Sequence, residues 1–248
     1  MKKVWVGGIE ITALTCQEWV DLFFEDKKNR VRPKFFTSAN GNVVSQYATN
    51  SRLRQIIEKA DGVDADGMSL VIASRLLSDT ALPERVVTTD FFHLLVRDSR
   101  SVGLKVFFLG GTDHDNSVAV SNCKREYPSV IFDGHHGYFD EPSNVIELVN
   151  NYKPDILFVG MGVPKEHLFC DANLDKFSSA VWVKTCGGMF RVLAGQVQRP
   201  PEWMRKFCLE WFYRCIKEPK HVLARYMKTC PHSIYLFLKN RKNRNEIK

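Results

Sequence analysis

Three carboxylates lie close together in the stretch Asp61 to Asp66, which ends in Asp64-Ala65-Asp66 before Gly67. An aspartate held beside a substrate hydroxyl can act as a general base. Two aspartates separated by one residue can also hold Mg²⁺ or Mn²⁺, since hard cations prefer oxygen ligands. A simpler role is a helix cap, because an aspartate often precedes a helix. The apolar residues after Gly67 predict a helix, so we expect the three carboxylates in the loop before it.

A hydroxyl and an amide stand at the end of another predicted strand. Ser38 and Asn40 follow the apolar pair Phe35-Phe36, and a helical pattern begins at Val43. These side chains can bind a sugar, or they can cap the helix, which is the usual role of such residues at a strand-to-helix connection.

Three apolar runs end in glycine-rich loops. They are 104–109 before Gly110-Gly111, 156–159 before Gly160 and Gly162, and 180–186 before Gly187-Gly188. After the first run, backbone N–H groups and the following helix could receive a diphosphate. After the second, Lys165 and Glu166 add charge near the loop. The glycines can also serve only tight connections. The full G-x-G-x-x-G spacing is missing, so we do not expect NAD.

The repeated order of strand, glycine loop and helix indicates the architecture. Short apolar runs without alternation are typical of strands buried on both faces of a parallel sheet. We therefore predict an α/β, Rossmann-like fold with a mostly parallel sheet flanked by helices and several loops converging on one edge. The predicted division is an α/β catalytic domain at 1–198 and a basic, amphipathic, helical C-terminal appendage at 199–248.

The charge of the chain is concentrated in that appendage. Residues 199–248 contain 13 Lys and Arg against four Asp and Glu, whereas the preceding 198 residues contain 22 and 24. A confined basic segment points to anionic lipid, nucleic acid or a phosphorylated substrate. Its basic residues alternate with large apolar ones and no nucleic-acid recognition motif accompanies them. The pattern therefore favours a membrane surface and no nucleic acid.

The remaining composition indicates a globular cytoplasmic protein. Of the 248 residues, 44% are apolar and 25% are charged, which argues against wholesale disorder. The seven cysteines are scattered and never spaced C-x-x-C, so neither a disulfide framework nor a zinc site is expected. We find no signal-peptide pattern and no stretch long enough to span a membrane. A second copy of the chain is a further candidate partner.

Many short motifs in order resemble the WecG/TagA/CpsF family of bacterial glycosyltransferases, and together they span residues 35–225. They are Ser38-Ala39-Asn40, Asp66-Gly67, Glu84-Arg85-Val86 with Asp90, Phe107-Phe108-Leu109-Gly110-Gly111, Gly137-Tyr138-Phe139, Pro154-Asp155-Ile156-Leu157, Gly162-Val163-Pro164-Lys165, Gly187-Gly188-Met189-Phe190, Ala194-Gly195, Arg199-Pro200-Pro201-Glu202-Trp203, Leu209-Glu210-Trp211-Phe212-Tyr213-Arg214 and Glu218-Pro219.

The resemblance implies an inverting, metal-independent transfer without a cofactor. A sugar, N-acetylmannosamine or a related hexose or uronic acid, would move from UDP to a sugar on undecaprenyl diphosphate during cell-surface polysaccharide synthesis. By this resemblance Asp66 is the base, with Ser38 and Asn40 lining the same pocket. The appendage would close the site and contact the inner face of the plasma membrane.

Inversion also needs positive groups that stabilise the leaving UDP. Arg85, Arg214 and Arg225 are the candidates for this role, and surface ion pairs are the alternative for each. The D-x-D interpretation of Asp64 and Asp66 as metal ligands stays open beside the metal-independent expectation.

The chain departs from the family pattern at three positions. Where the family has P-K-Q-E, this chain has Pro164-Lys165-Glu166-His167, and Arg191 replaces an aspartate. Glu166 could hold a different donor hydroxyl, compete with Asp66 as base, or reflect lost activity. The alternative function is therefore a non-catalytic protein that binds UDP-sugar or nucleotide.

Overall fold

Parallel strands form the centre of the computed structural model, which describes residues 1–198, 200–201, 204, 209–217 and 219–241. The strands of the main sheet are β3 (Lys34–Ala39), β4 (Gly62–Ala65), β5 (Lys105–Gly110), β6 (Ile131–His135), β7 (Ile156–Gly160) and β8 (Trp182–Thr185). Their order across the sheet is β4-β3-β8-β7-β5-β6, and every neighbouring pair is parallel. The carboxyl ends of all six strands therefore meet at one edge.

A short antiparallel hairpin precedes this sheet, and helices connect its strands. The hairpin pairs β1 (Lys3–Val6) with β2 (Ile9–Thr12). The helices up to residue 193 are α1 (Cys16–Lys28), α2 (Gly41–Thr49), α3 (Ser51–Glu58), α4 (Met68–Leu77), α5 (Thr88–Arg97), α6 (Asp113–Glu126), α7 (Pro142–Tyr152), α8 (Lys165–Asn173) and α9 (Met189–Leu193). Two helices follow in the described part of the C-terminal segment, α10 (Glu210–Lys217) and α11 (Pro219–Lys239).

Apolar residues on both faces of the strands explain why the sheet is covered on both sides. On one face, α1, α5, α6 and α9 contribute to a cluster with strand residues that include Phe36, Phe108 and Phe158. On the other face, α3, α7 and α8 pack over alternate strand residues such as Phe107 and Leu157. Successive strand residues point to opposite faces, so a run of consecutive apolar residues fills both layers.

Helix α11 shares a core with the amino-terminal part of the chain. Leu236 and Phe237 belong to the cluster that includes the hairpin, α2 and α4. The Oγ of Ser45 on α2 lies 2.8 Å from the Nδ1 of His232 on α11. The C-terminal helix is thus anchored on the two helices that follow β3 and β4.

The predicted α/β class with a parallel sheet is confirmed. The expected loop with three carboxylates is wrong, because Asp64 lies inside β4 and not in the loop. The sequence pattern hid this strand because β4 is only four residues long and has a charged residue among its apolar ones. Asp61 lies before β4 and pairs with Arg32, so only Asp66 follows the strand.

Candidate active site

Asp66 and Asn40 lie side by side at the carboxyl ends of the neighbouring strands β4 and β3. Both side chains are partly buried, and the Nδ2 of Asn40 lies 3.5 Å from the Oδ2 of Asp66. The Oδ1 of Asn40 accepts hydrogen bonds from the backbone N–H groups of Asn42 and Val43, at 3.1 and 3.2 Å. Asn40 is therefore the N-cap of α2, as the capping alternative predicts, and its amide nitrogen is turned toward Asp66.

Arg85 fixes the backbone at the same place. Its Nε donates to the carbonyl oxygen of Asp66 at 2.6 Å, and the N–H of Val86 donates to the carbonyl of Ala65 at 2.9 Å. The N–H of Gly67 in turn donates to the carbonyl of Ala39 at 3.2 Å. These bonds hold the Asp66 carboxylate at the opening between two strand ends, where open α/β sheets bind ligands.

We call the opening beside Asp66 and Asn40 the acid pocket. A buried ion pair lies beneath it. Lys184 on β8 and Asp64 on β4 are 2% and 1% exposed, and the Lys184 ammonium donates to the Oδ2 of Asp64. The two residues are on opposite sides of β3, so the pair bridges three strands. Burial raises the pKa of Asp64, and the charge of Lys184 acts in the opposite sense.

Ser38 belongs to this buried network. Its hydroxyl donates to the Oδ2 of Asp64 at 3.0 Å and accepts from the Nζ of Lys184 at 3.3 Å. The Oγ1 of Thr88, in the first turn of α5, lies 2.9 Å from the Oγ of Ser38. Ser38 is thus close to Asn40 and Asp66, but in this structure its hydroxyl is used by the network below them. Its predicted contact with substrate stays a prediction.

The D-x-D interpretation of Asp64 and Asp66 as ligands of one cation is not favoured by this arrangement, but it stays a hypothesis. Asp64 is bonded to Lys184 inside the sheet, whereas Asp66 is at the edge. Among the residues that the structure describes, no group of three or more His, Cys, Asp and Glu side chains is arranged to hold a metal ion.

The glycine loops lie along the same edge, on the other side of β3. Gly110 pairs with Gly160 where β5 and β7 end, and a Cβ on Gly110 would lie 2.1 Å from the carbonyl oxygen of Gly160. Only glycine permits this approach. From here α6 and α8 leave on opposite faces of the sheet, which makes the point between β5 and β7 a topological switch point.

The predicted diphosphate cradle is more restricted than the sequence suggests, because several N–H groups already have acceptors. The N–H of Gly111 donates to Gly160 at 2.9 Å, and those of Gly162 and Gly187 donate to Glu166 at 2.9 and 3.2 Å. Among the residues that the structure describes, a Cβ added at Gly162, Gly187 or Gly188 would meet no atom within 4 Å. The outer faces of these glycines are therefore open to a ligand.

The predicted cations are distributed over the edge and the C-terminal segment. Lys165 begins α8, and its Nζ donates to the carbonyl of Gly137 at 3.3 Å. Arg225 is exposed on α11, with its guanidinium 5.1 Å from the ring centre of Tyr226. Arg214 is partly buried on α10. Arg85 is placed directly against Asp66 by the hydrogen bond from its Nε to the Asp66 carbonyl oxygen.

The first turn of α8 contains two of the departures from the family pattern, Glu166 and His167, and both side chains are internal. Glu166 is 3% exposed, and burial raises its pKa to about 7, while three backbone N–H groups and Lys184 act in the opposite sense. His167 is fully buried, and burial lowers its pKa to about 4. The Nε2 of His167 lies 2.8 Å from the Oγ1 of Thr37, which is 2.7 Å from the Oγ1 of Thr185.

Sequence reasoning missed Lys184 and the buried position of His167. The signal for Lys184 was present, because a lysine inside the apolar run 180–186 needs an acidic partner, and Asp64 in its own short apolar run was the available one. His167 gave no such signal. Its partner Thr37 lies 130 residues away in the sequence, and only the fold brings the two together.

Similarity to known proteins agrees with this geometry. The sequence matches the model of the glycosyl transferase WecG/TagA/CpsF family over residues 4–247. Similar proteins include two that are named N-acetylglucosaminyldiphosphoundecaprenol N-acetyl-beta-D-mannosaminyltransferase, from Staphylococcus aureus strains MRSA252 and NCTC 8325. Each is 29% identical over 250 residues, which cover 99% of this chain and 96% of the relative.

Removal of the Lys184 charge tests the buried ion pair. We expect Lys184→Met to lower the free energy of unfolding by about 3–5 kcal/mol, because Asp64 then remains buried without its partner. The double variant Lys184→Met with Asp64→Asn should recover part of this loss. Urea denaturation measures the difference. Lys3→Met is the control, since Lys3 pairs with Glu10 at the surface and should cost about 1 kcal/mol or less. Similar losses for both lysines would contradict this role of Lys184.

The pKa values of the α8 pair predict opposed effects of pH on stability. Glu166 contributes stability that is present below pH 4.5 and lost as the pH rises toward 7. His167 contributes stability that is present above pH 6.5 and lost as the pH falls toward 4. Between these limits the two effects offset each other.

We therefore expect Glu166→Gln to change the pH dependence of the free energy of unfolding. As the pH rises from 5 to 7, the free energy of unfolding of the variant should increase relative to that of wild type by up to about 1.4 kcal/mol per pH unit. The reason is that only the His167 effect remains in the variant. Urea denaturation at several pH values measures this. Glu147→Gln, at an exposed position on α7, is the control. Parallel curves for wild type and Glu166→Gln would show that Glu166 titrates normally.

Proposed function

Because the chain belongs to the WecG/TagA/CpsF family of glycosyltransferases, we propose that it transfers a sugar from UDP to a sugar carried on undecaprenyl diphosphate. The names of the similar Staphylococcus aureus proteins support this acceptor and support N-acetylmannosamine as the type of sugar transferred. The product would serve cell-surface polysaccharide synthesis.

The pairing of Asp66 with Asn40 is the observation that supports this proposal most strongly. The Asp66 carboxylate accepts the proton of the acceptor hydroxyl as the oxygen of that hydroxyl attacks the anomeric carbon of the donor. The bond between that carbon and the UDP oxygen breaks, so the configuration inverts and UDP leaves with the bonding electrons. Asn40 orients the carboxylate through its amide nitrogen, and Arg85 holds the backbone of Asp66 in place.

The distance along the sheet edge from the acid pocket to the glycine loop after β5 matches the length of a donor that consists of a sugar and a nucleotide. The acid pocket follows β4 and β3, whereas Gly110 and Gly111 follow β5, four strand spacings from β4. At about 4.8 Å per spacing this is roughly 19 Å, which is room for an extended nucleotide sugar. The nucleotide end extends past the open faces of Gly162, Gly187 and Gly188 toward Gly110 and Gly111, and the reacting sugar lies near Asp66. Arg85, Arg214 and Arg225 stabilise the charge that develops on the leaving UDP.

The C-terminal segment contributes to the same pocket and to membrane contact. A Cβ on Gly41, directly after Asn40, would lie 3.0 Å from the Oγ of Ser233, so α11 passes close to the acid pocket. Large apolar side chains on α10 and α11 are exposed beside basic ones, including Trp211, Leu223, Met227 and Leu238. This surface suits the headgroup region of an anionic membrane. We infer peripheral attachment to the inner face, where a polyprenyl-linked acceptor is presented.

Within the described residues, no helix has the length and apolar character needed to cross a membrane.

Substitution of the proposed base tests the reaction. Asp66→Asn should lower the turnover of UDP-sugar with lipid-diphosphate acceptor by about 10²–10⁴-fold, because the amide cannot take the proton. UDP binding, measured by calorimetry, should persist. Asp140→Asn, at an exposed position in the loop before α7, is the matched control and should keep full activity. Normal turnover by Asp66→Asn would rule out Asp66 as the base. UDP binding by wild type without any transfer would favour the non-catalytic alternative.

Flotation with liposomes tests the membrane surface. Wild-type protein should bind vesicles that contain phosphatidylglycerol, and Met227→Glu with Leu238→Glu should weaken this binding by about tenfold for each residue. Val102→Glu is the control, since Val102 is 75% exposed in the turn that leads into β5, at the opposite edge of the sheet. Equal recovery of wild type and the α11 variant would contradict membrane contact through this helix.

A further inference from the structure

Two glycine loops of the sheet edge are tied to one buried carboxylate. The Oε2 of Glu166 accepts the N–H of Met161 at 3.1 Å and that of Gly162 at 2.9 Å, both in the loop after β7. The same oxygen accepts the N–H of Gly187 at 3.2 Å, in the loop after β8. Glu166 itself is on α8, so a single side chain connects one helix with two loops.

This contact determines which side of each loop faces a ligand. The three N–H groups point inward to Glu166, so they are not available to a phosphate. Within the described residues, a Cβ at Gly162 or Gly187 would meet nothing within 4 Å, so these residues leave space for a ligand beside the backbone there. The carboxylate thus sets the relative position of two surfaces between which a donor would lie.

The groups around Glu166 influence whether its carboxylate is protonated. Lys184 on β8 is the nearby cation that favours the ionised form. The thiols of Cys170 on α8 and Cys186 after β8 also face Glu166, and burial raises both of their pKa values. Lys165 and His167 flank it on α8. The pKa of about 7 means that both forms of Glu166 are present near neutral pH.

We propose that Glu166 is a positioning residue that fixes the loops after β7 and β8 in the arrangement that receives the donor. The ionised form accepts the three N–H groups strongly, whereas the protonated form accepts them weakly. The role in donor binding rests on the proposed function, but the bracing of the loops does not. This role differs from direct contact with substrate, because the side chain is buried behind the loops.

Amide hydrogen exchange tests the brace without any assay of activity. In Glu166→Ala, exchange at Met161, Gly162 and Gly187 should become faster by about tenfold or more, because all three N–H groups lose their acceptor. In Glu166→Gln, whose amide oxygen can still accept, exchange should stay close to that of wild type. Glu147→Ala controls for the loss of an exposed glutamate. Unchanged exchange in both loops of Glu166→Ala would overturn the proposal.

The wild-type protein provides a second measurement, which does not depend on whether the alanine variant folds. The relevant openings are local ones, in which the loops leave Glu166 while its side chain stays buried. After correction for the intrinsic exchange rate and for the change of global stability with pH, protection of the same three amides against such openings should increase between pH 6 and 8 as Glu166 ionises. In Glu166→Gln this increase should be absent. Protection that follows the same course in both proteins would contradict the brace.

Kinetics then connects the brace with donor binding. Glu166→Ala should raise the KM for the UDP-sugar more than it lowers kcat, and Glu166→Gln should restore the KM and remove its pH dependence between pH 6 and 8. A kcat loss equal to that of Asp66→Asn, with unchanged KM, would mean that Glu166 takes part in the chemical step instead. If no UDP-sugar is turned over at all, the proposed function fails, while hydrogen exchange still decides the brace.

Discussion

The buried contact between Lys184 and Asp64 is the interaction on which the acid end of the site depends. Each charge alone inside the sheet would be very costly, so the two strands that carry them must stay in register on either side of β3. This register places Ser38 against Asp64 and, two residues further along each strand, Asn40 beside Asp66. The position of the proposed base is thus a consequence of an ion pair that never reaches the surface.

The first turn of α8 positions the middle strands of the sheet edge, as the ion pair positions the acid pocket. Glu166 connects the loops after β7 and β8, and His167 reaches Thr37 on β3, which in turn contacts Thr185 on β8. Adjacent residues of one helix therefore tie three strand ends together. Two of the positions at which the chain leaves its family pattern, Glu166 and His167, are used for this purpose, and Asp66 and Asn40 are retained.

The sequence predicted the parts of the fold that depend on local pattern. Apolar runs ending in glycine indicated the strands, and their repetition indicated a parallel sheet with its site at one edge. Whether an individual polar residue is buried or faces a ligand could not be predicted in the same way. Asp64 was expected in a loop and Glu166 against substrate, because a carboxylate near a glycine loop looks the same in sequence whether it faces solvent or the interior. That difference depends on partners such as Lys184, far away along the chain.

An acid pocket, a row of open glycine loops and a basic amphipathic helix lie together at one edge of the sheet. The central claim is that Asp66 receives the proton of the acceptor hydroxyl. A crystal structure of the Asp66→Asn variant with UDP and a soluble acceptor analogue tests this most directly. The account predicts an acceptor hydroxyl within about 3 Å of the side chain at position 66, with UDP extending toward the glycine loops. An acceptor bound away from position 66, with another carboxylate at its hydroxyl, would contradict it.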